Sequence, residues 1–197
     1  MSRRPYHHGN LRAALLDEAR RVVREQGAQA LSLREVARKV GVSHGAPRRH
    51  FSDRQALLDA LAESGFAQLG DELRRAAAGA GGDFDARMHA TAAAYVRFAT
   101  DDAALLELMF AGKHREPSGA LHEAADHAFA VVLELIEQGQ AEGVLDPGPV
   151  ERVGLVLFAT IQGIAALVTG GIVPPEQVDE LVADAVGHFM RGSRAPV

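Results

Sequence analysis

Apolar residues recur at spacings of three and four along most of the chain, and no strand-like alternation persists. The first such run ends at Gly27, a residue type that commonly follows helices, and Asn10 can cap its start. Its apolar positions are Leu11, Leu15, Ala19, Val22 and Val23. The pattern predicts an all-α protein that opens with one amphipathic helix.

Three more helices are predicted directly behind the first. Ser32-Leu33-Arg34-Glu35 is a capping box, in which the serine hydroxyl accepts from the glutamate amide and the carboxylate reaches back. The short helix that it opens ends at Gly41. Ser43 can cap a third helix that runs to His50. A second capping box, 52–55, opens a longer helix of about residues 53–78.

The glycine-rich stretch 79–82 is the clearest break in the chain. Five helices are predicted after it, at about residues 84–100, 102–112, 119–141, 149–169 and 176–191. Their start signals are Asp83, Asp101, Ser118, Pro149 and Pro175. Most connections are short, which is typical of a compact helical bundle of about nine helices.

Composition excludes several classes of protein. The 197 residues are 47% hydrophobic and 24% charged, as in an ordinary globular protein. No cysteine is present, so disulfides and thiolate metal sites are excluded. The N-terminus lacks the apolar core of a signal peptide, and the most apolar stretch, 153–168, is interrupted by Thr160 and Gln162. We expect a cytoplasmic protein with no membrane partner.

Charge is distributed unevenly between the two ends. Residues 1–60 carry 12 Lys and Arg against 6 Asp and Glu, whereas residues 61–197 carry 9 against 20. A basic head on an acidic body suits a protein that presents one end to a polyanion, although charge alone also fits a solvated surface.

The basic head has the outline of a helix-turn-helix. Leu33, Val36, Ala37, Val40 and Val42 form a small apolar seam, and Gly41 lies where the chain must turn sharply. The polar side gathers basic groups within about 20 residues: Arg34, Arg38, Lys39, Arg48, Arg49, His50 and Arg54. The alternative is an ordinary solvated surface, which the turn and the two caps disfavour.

The segments Leu31-Ser-Leu-Arg-Glu-Val-Ala, Gly41-Val-Ser and His50-Phe-Ser-Asp-Arg-Gln-Ala-Leu-Leu58 resemble the DNA-binding domain of the TetR family of transcriptional regulators. The resemblance implies a DNA-binding domain over 1–55 and a ligand-binding and dimerisation domain over 56–197. It also implies an operator-binding homodimer that acts as a ligand-released repressor, with an unknown small-molecule effector. We expect no cofactor. The opening Tyr6–Arg12 and Ser43–Pro47 resemble a subgroup with a Trp-x-x-x-His-Gly motif, for which this chain has Phe158, Gln162 and Gly163.

The same resemblance implies a recognition helix at 43–50, with Arg49 and His44 nearest the bases. Phosphate contacts would come from Ser32, Ser43, His50 and Arg54, with Arg34, Gly45 and Arg48 completing the DNA surface. Two residues depart from the family pattern. Arg48 stands where a tyrosine is usual, and Pro47 removes an amide donor from the helix. Arg3 and Arg4 could form a flexible arm that lies along the minor groove. The alternative is that they belong to an ordinary disordered terminus.

Polar or bulky residues on the apolar C-terminal helices are candidates for an effector pocket, and each is also an ordinary core residue in the alternative interpretation. They are His89, Arg97, Met109, Phe110, His127, Phe158 and Gln162. For dimerisation, the helix around 150–169 offers small residues, and the last helix offers an apolar stripe over 178–189. The alternative is that both stripes face the core of one monomer. Dimerisation is favoured because a single helix-turn-helix contacts too few bases for useful specificity.

No catalytic or metal motif is evident. His122 and His127 are five residues apart, one too many for a zinc-protease helix, and His7-His8 fits an exposed arm as well as a metal site. No nucleophile elbow, phosphate loop or dinucleotide fingerprint occurs. We therefore predict no enzyme activity. One alternative is a helical ligand-binding or enzymatic bundle without operator binding, and another is an activator or ligand-independent regulator.

Overall fold

The computed structural model describes residues 11–111 and 119–193. Within them the chain forms eight α-helices joined by turns and short 3-10 segments. The helices are α1 Leu11–Gln26, α2 Leu33–Val40, α3 Arg54–Gly79, α4 Phe84–Asp101, α5 Ala103–Ala111, α6 Gly119–Ala141, α7 Val150–Thr169 and α8 Val178–Gly192. The predicted roles of Arg3, Arg4, His7, His8, Asn10 and Ser118 fall outside the described residues.

The all-α prediction is confirmed, and most helix ends lie within two residues of their predicted positions. Gly27 and Gly41 both have a φ of 80°, a conformation that side chains disfavour, so glycine ends the chain's first two helices for the expected reason. Asp83 caps α4 by accepting a 3.0 Å hydrogen bond from the Asp85 amide.

Both predicted capping boxes are wrong in detail. Ser32 occupies the N-cap of α2, but its side chain makes no capping hydrogen bond. Glu35 instead lies 3.5 Å from the Lys39 ammonium, one turn further along α2. At α3 the cap is Asp53, whose carboxylate accepts from the Ala56 amide at 2.9 Å. A charged partner along the helix therefore competes successfully with the local box.

The predicted third helix, 43–50, is also wrong as an α-helix. The segment contains a turn followed by one 3-10 turn, Pro47–Arg49. Proline has no amide to donate to the Ser43 carbonyl, so Pro47 can lie only in a helix's first turn. The chain then reaches the buried Phe51 and leaves toward α3, which leaves room for a single turn.

Two compact units make up the structure. The first comprises the described residues up to Gly65 together with those between Ala104 and His122. Here α1 packs on α2 and on the 3-10 turn Ala28–Ala30. The predicted apolar face of α1 is confirmed, because Leu15, Ala19, Val22 and Val23 are all buried.

The second unit comprises Phe66–Ala103 and Glu123–Val197, as far as these are described, with α4, α7 and α8 packed on one another. One face of α7 is buried there: Gly154, Leu157, Ile161, Ile164 and Ala165. Gly154 permits close packing here, since a Cβ at this position would lie 2.9 Å from a methyl group of Leu133, which would have to move. On α8, Val182, Val186 and Phe189 are buried, so much of its apolar stripe serves the core of this unit.

By length and composition, α7 is also the one helix in the described parts of the chain that is apolar enough to cross a membrane. This is weak evidence for a membrane span, because core helices pass the same test. Thr160 and Gln162 interrupt its apolar run, but the hydropathy averaged over the helix remains high.

Candidate nucleic-acid interface and effector site

Residues 43–50, here called the reading segment, form an exposed basic turn in the first unit. Backbone hydrogen bonds hold its shape: the Ala46 amide donates to the Ser43 carbonyl at 3.0 Å, and the His50 and Phe51 amides donate to the Pro47 carbonyl at 2.9 Å. Pro47 is buried and anchors the segment. The predicted DNA contacts in it are all exposed to solvent: Ser43, His44, Gly45, Arg48, Arg49 and His50.

Two further predicted DNA contacts lie at the start of α2. Arg34 is exposed in the first turn, and Ser32 is half-buried at the N-cap. Because the Ser32 hydroxyl makes no capping hydrogen bond, it and the first helix amides can bind an anion. Arg12, at the start of α1, lies with its guanidinium carbon 5.7 Å from the centroid of the Phe51 ring, next to the end of the reading segment.

Other basic groups of this unit are engaged in ion pairs. Lys39 lies 3.5 Å from Glu18 and links α2 to α1. Arg21 forms a two-oxygen contact with Glu25 and a 2.7 Å bond to Glu18. Hydrogen bonding from Arg21, with a contribution from Lys39, lowers the pKa of Glu18 below its ordinary value. Within the described part of this unit, Arg34 on the first turn of α2 and Arg48 and Arg49 in the reading segment are exposed and form no ion pair.

Arg54 is placed differently from the other predicted contacts. It is half-buried, and its guanidinium donates to the Leu31 carbonyl at 2.9 Å and to the Ala28 carbonyl at 2.6 Å. Among the predicted DNA contacts that the structure describes, Arg54 alone has a side chain that donates to backbone carbonyl groups.

The second unit contains a group of aromatic side chains around Tyr95. The Tyr95 ring meets Phe158 edge-to-face at 5.6 Å between centroids, Phe158 meets Phe129 at 5.2 Å, and Phe129 meets Phe66 at 6.2 Å. The Tyr95 hydroxyl donates to Gln162 Oε1. Burial raises the pKa of that hydroxyl above its ordinary range.

Two predicted effector residues, Phe158 and Gln162, thus contact a common partner from successive turns of α7. Sequence reasoning missed Tyr95, Phe129 and Phe66. Their aromatic character within alanine-rich helices was the available signal, but aromatic residues are ordinary core residues.

The remaining effector candidates do not join this group. Arg97 and His127 are exposed, and His89 is half-exposed. Met109 is buried and Phe110 half-buried, and both belong to the first unit, where the Met109 sulfur would lie 2.7 Å from a Cβ placed on Gly65. Within the described residues, no three His, Asp or Glu side chains are grouped closely enough to hold a metal ion.

Solved structures resemble the chain over nearly its whole length. A Rhodococcus protein of unknown function is 44% identical, with a TM-score of 0.91, over 98% of this chain and 100% of that one. A TetR family transcriptional regulator, PfmR, from Thermus thermophilus is 18% identical, with a TM-score of 0.69, over 90% of this chain and 97% of that one. The regulator FadR from Bacillus subtilis, in complex with stearoyl-CoA, is 15% identical, with a TM-score of 0.75, over 91% and 98%.

Family models account for both parts of the sequence, whereas curated proteins give no match. Residues 15–61 match the model of bacterial regulatory proteins of the tetR family. Residues 88–189, more than half of the chain, match the model of the tetracyclin repressor-like C-terminal domain. The exposed basic turn that follows α2 lies inside the first match. The chain therefore belongs to the tetR family of bacterial regulatory proteins and is a DNA-binding transcriptional regulator.

Proposed function

We propose that this regulator is a cytoplasmic homodimer that represses transcription by binding a pseudo-palindromic operator and leaves it when a small molecule binds the second unit. The exposed reading segment carries this proposal, because its arginines have no carboxylate partner in the described residues. Family members of this kind are in general not enzymes. We therefore propose binding, without catalysis, as the activity.

Within each subunit, Arg49 and His44 contact base edges, and Arg49 pairs with a guanine. Such a pair contributes about 1–3 kcal/mol of discrimination between bases. Ser32, Arg34, Ser43, Gly45, Arg48 and His50 lie against the phosphates. Because the reading segment is a single turn, fewer side chains reach the bases than a full recognition helix would supply. Phosphate contacts then carry a larger share of the affinity, which makes binding steeply dependent on salt.

The exposed face of α7 is the proposed dimer interface. Leu155 is 64% exposed, Val156 56% and Leu167 39%. Between them lie small exposed residues, Ala159, Gly163 and Ala166, which allow a second helix to approach closely. An exposed face of large apolar and small residues, interrupted only by Thr160 among the exposed residues between Leu155 and Leu167, favours contact with a second copy.

Charges on α8 support the same two-fold arrangement. The exposed residues Asp179, Glu180 and Asp184 lie in its first half, and His188 and Arg191 lie in its second half. Two copies of α8 that cross antiparallel about a two-fold axis would bring opposite charges together.

The effector is proposed to bind beside Tyr95, Phe158 and Gln162. Gln162 uses its oxygen to accept from Tyr95, so its amide nitrogen remains able to donate to a ligand. Weaker candidates in the same unit are His89, Arg97 and His127. Met109 and Phe110 belong to the first unit and are not assigned to this site. Release of DNA requires the effector to bind the DNA-free conformation more tightly than the bound one.

Selection of bound sequences from a random DNA pool, at two salt concentrations, tests the function. We expect an inverted repeat whose half-sites are centred one helical turn apart, or a multiple of it. Folded, dimeric protein that enriches no sequence would contradict the proposal and favour a helical ligand-binding protein. A reporter gene in cells lacking the regulator separates a repressor from an activator.

The dimer is tested by sedimentation of Val156→Glu, with Ala141→Glu as a matched control. Ala141 is exposed at the end of α6, so the same charge is added away from the proposed face. Val156→Glu should dissociate the dimer and the control should not. Equal sedimentation of both variants with the wild type would place the interface elsewhere.

A further inference from the structure

The Arg54 side chain joins the first residue of α3 to the chain just before α2. Its Nε donates to the Leu31 carbonyl at 2.9 Å, and one terminal nitrogen donates to the Ala28 carbonyl at 2.6 Å. These acceptors lie 23 and 26 residues earlier in the sequence. A single guanidinium therefore closes a long loop of chain, and the planar fork of arginine serves both acceptors in fixed directions.

The two ends of this connection lie next to the starts of α2 and α3. Leu31 directly precedes Ser32, the N-cap of α2, and Arg54 directly follows Asp53, whose carboxylate caps α3. The loop closed by Arg54 contains all of α2 and the whole reading segment. One side chain thus fixes the start of α2 relative to the start of α3. The reading segment lies in the chain between these two points.

We propose that Arg54 is a positioning residue of the reading segment and not a phosphate ligand. This inference rests on the proposed DNA binding. From a half-buried position the guanidinium directs Nε and one terminal nitrogen, the edge best suited to a bidentate phosphate contact, to two backbone carbonyl groups. A phosphate could reach only the remaining N–H groups, whereas loss of the carbonyl bonds would remove the connection between the starts of α2 and α3.

Two substitutions separate the roles. Arg54→Lys keeps the charge that a phosphate contact needs but cannot serve both carbonyls as a fork does. Arg54→Met keeps the length and removes the charge. Each is titrated with the selected operator over a range of salt concentrations, after denaturant unfolding has shown that the variant is folded. Arg48→Met, in the exposed reading segment, is the control for loss of a phosphate contact.

If Arg54 positions the reading segment, both variants weaken binding by about tenfold or more while the slope of log affinity against log salt stays at the wild-type value. The Arg48→Met control lowers that slope by about 0.9. A slope lowered by Arg54→Met, with near-normal binding by Arg54→Lys, would show a phosphate ligand and overturn the proposal. Unchanged affinity of both folded variants would overturn it too.

Hydrogen exchange of the DNA-free protein tests the inference independently of operator binding. The Ala30 amide donates to the Gly27 carbonyl and the Leu31 amide to the Ala28 carbonyl, each at 3.2 Å. Both amides should exchange faster in the two Arg54 variants and at the wild-type rate in Arg48→Met. Unchanged exchange would overturn the positioning role even where DNA binding is intact. Faster exchange in a protein that binds no DNA would contradict only the proposed function.

Discussion

We expect the hydrogen bond between Tyr95 and Gln162 to contribute measurably to the unfolding free energy. Tyr95 is only 2% exposed. Gln162→Leu leaves the Tyr95 hydroxyl buried without an acceptor, which should lower the unfolding free energy by about 1–3 kcal/mol. Tyr95→Phe removes the donor and should cost about 1 kcal/mol, since Gln162 is half-exposed and water can replace the lost donor.

The double variant should be more stable than the sum of these losses predicts. With both polar groups gone, an apolar pair remains, so the combined cost should fall to about that of one single substitution. The expected coupling is about 1–2 kcal/mol, well above the error of about 0.5 kcal/mol for independent sites.

Urea unfolding followed by circular dichroism measures these energies. Protomer concentration is held fixed, because dimerisation would contribute to stability, and the denaturant slopes must agree among variants. Losses that simply add in the double variant would refute the reasoning. They would mean that the hydroxyl and the amide do not depend on each other in solution.

Three other predictions concern packing and ionisation. Gly139→Ala should cost about 1–3 kcal/mol, because its Cβ would lie 2.5 Å from the Phe84 ring, whereas Gly79→Ala, with open space around it, should be neutral or slightly stabilising in the same urea assay. Glu18, whose pKa is lowered by folding, stabilises the protein above its ordinary pKa of 4.5 and less as the pH falls below it. Glu18→Gln should therefore lower the unfolding free energy by less than about 1 kcal/mol at neutral pH. It should also reduce the loss of unfolding free energy at acid pH, and an unchanged loss would contradict this. Because burial raises the pKa of Tyr95, Tyr95→Phe should leave the tyrosinate absorbance that develops near pH 10 unchanged, and loss of that absorbance would contradict the assignment.

Much of the fold follows from local patterns in the sequence. The apolar spacing of α1 and the left-handed glycine at Gly41 each have one stable local solution, and the structure adopts it. Pro47 is instructive because its missing amide was visible in the sequence. Its effect on the length of the predicted helix depends on Phe51, which is buried only four residues later. Whether Phe51 is buried is decided by the tertiary structure.

The side-chain roles were harder to predict for the same physical reason. Glu35 has three possible partners, the Ser32 amide, Arg38 and Lys39, and sequence alone does not rank them. Arg54 looks like any exposed arginine at a helix start, since carbonyls more than 20 residues away are invisible to local reasoning. Phe158 and Gln162 stand out in the sequence as a bulky and a polar residue on an apolar helix, whereas their partner Tyr95 comes from another helix.

In the proposed complex the exposed reading segment recognises bases, with Arg49 pairing with a guanine. The most direct test compares wild type and Arg49→Ala on the selected operator and on its single-base-pair variants. We predict that wild type discriminates one guanine-containing pair in each half-site by about 1–3 kcal/mol and that Arg49→Ala loses discrimination at that pair alone. Discrimination that Arg49→Ala leaves unchanged at every position would contradict the claim and assign base recognition to another part of the chain.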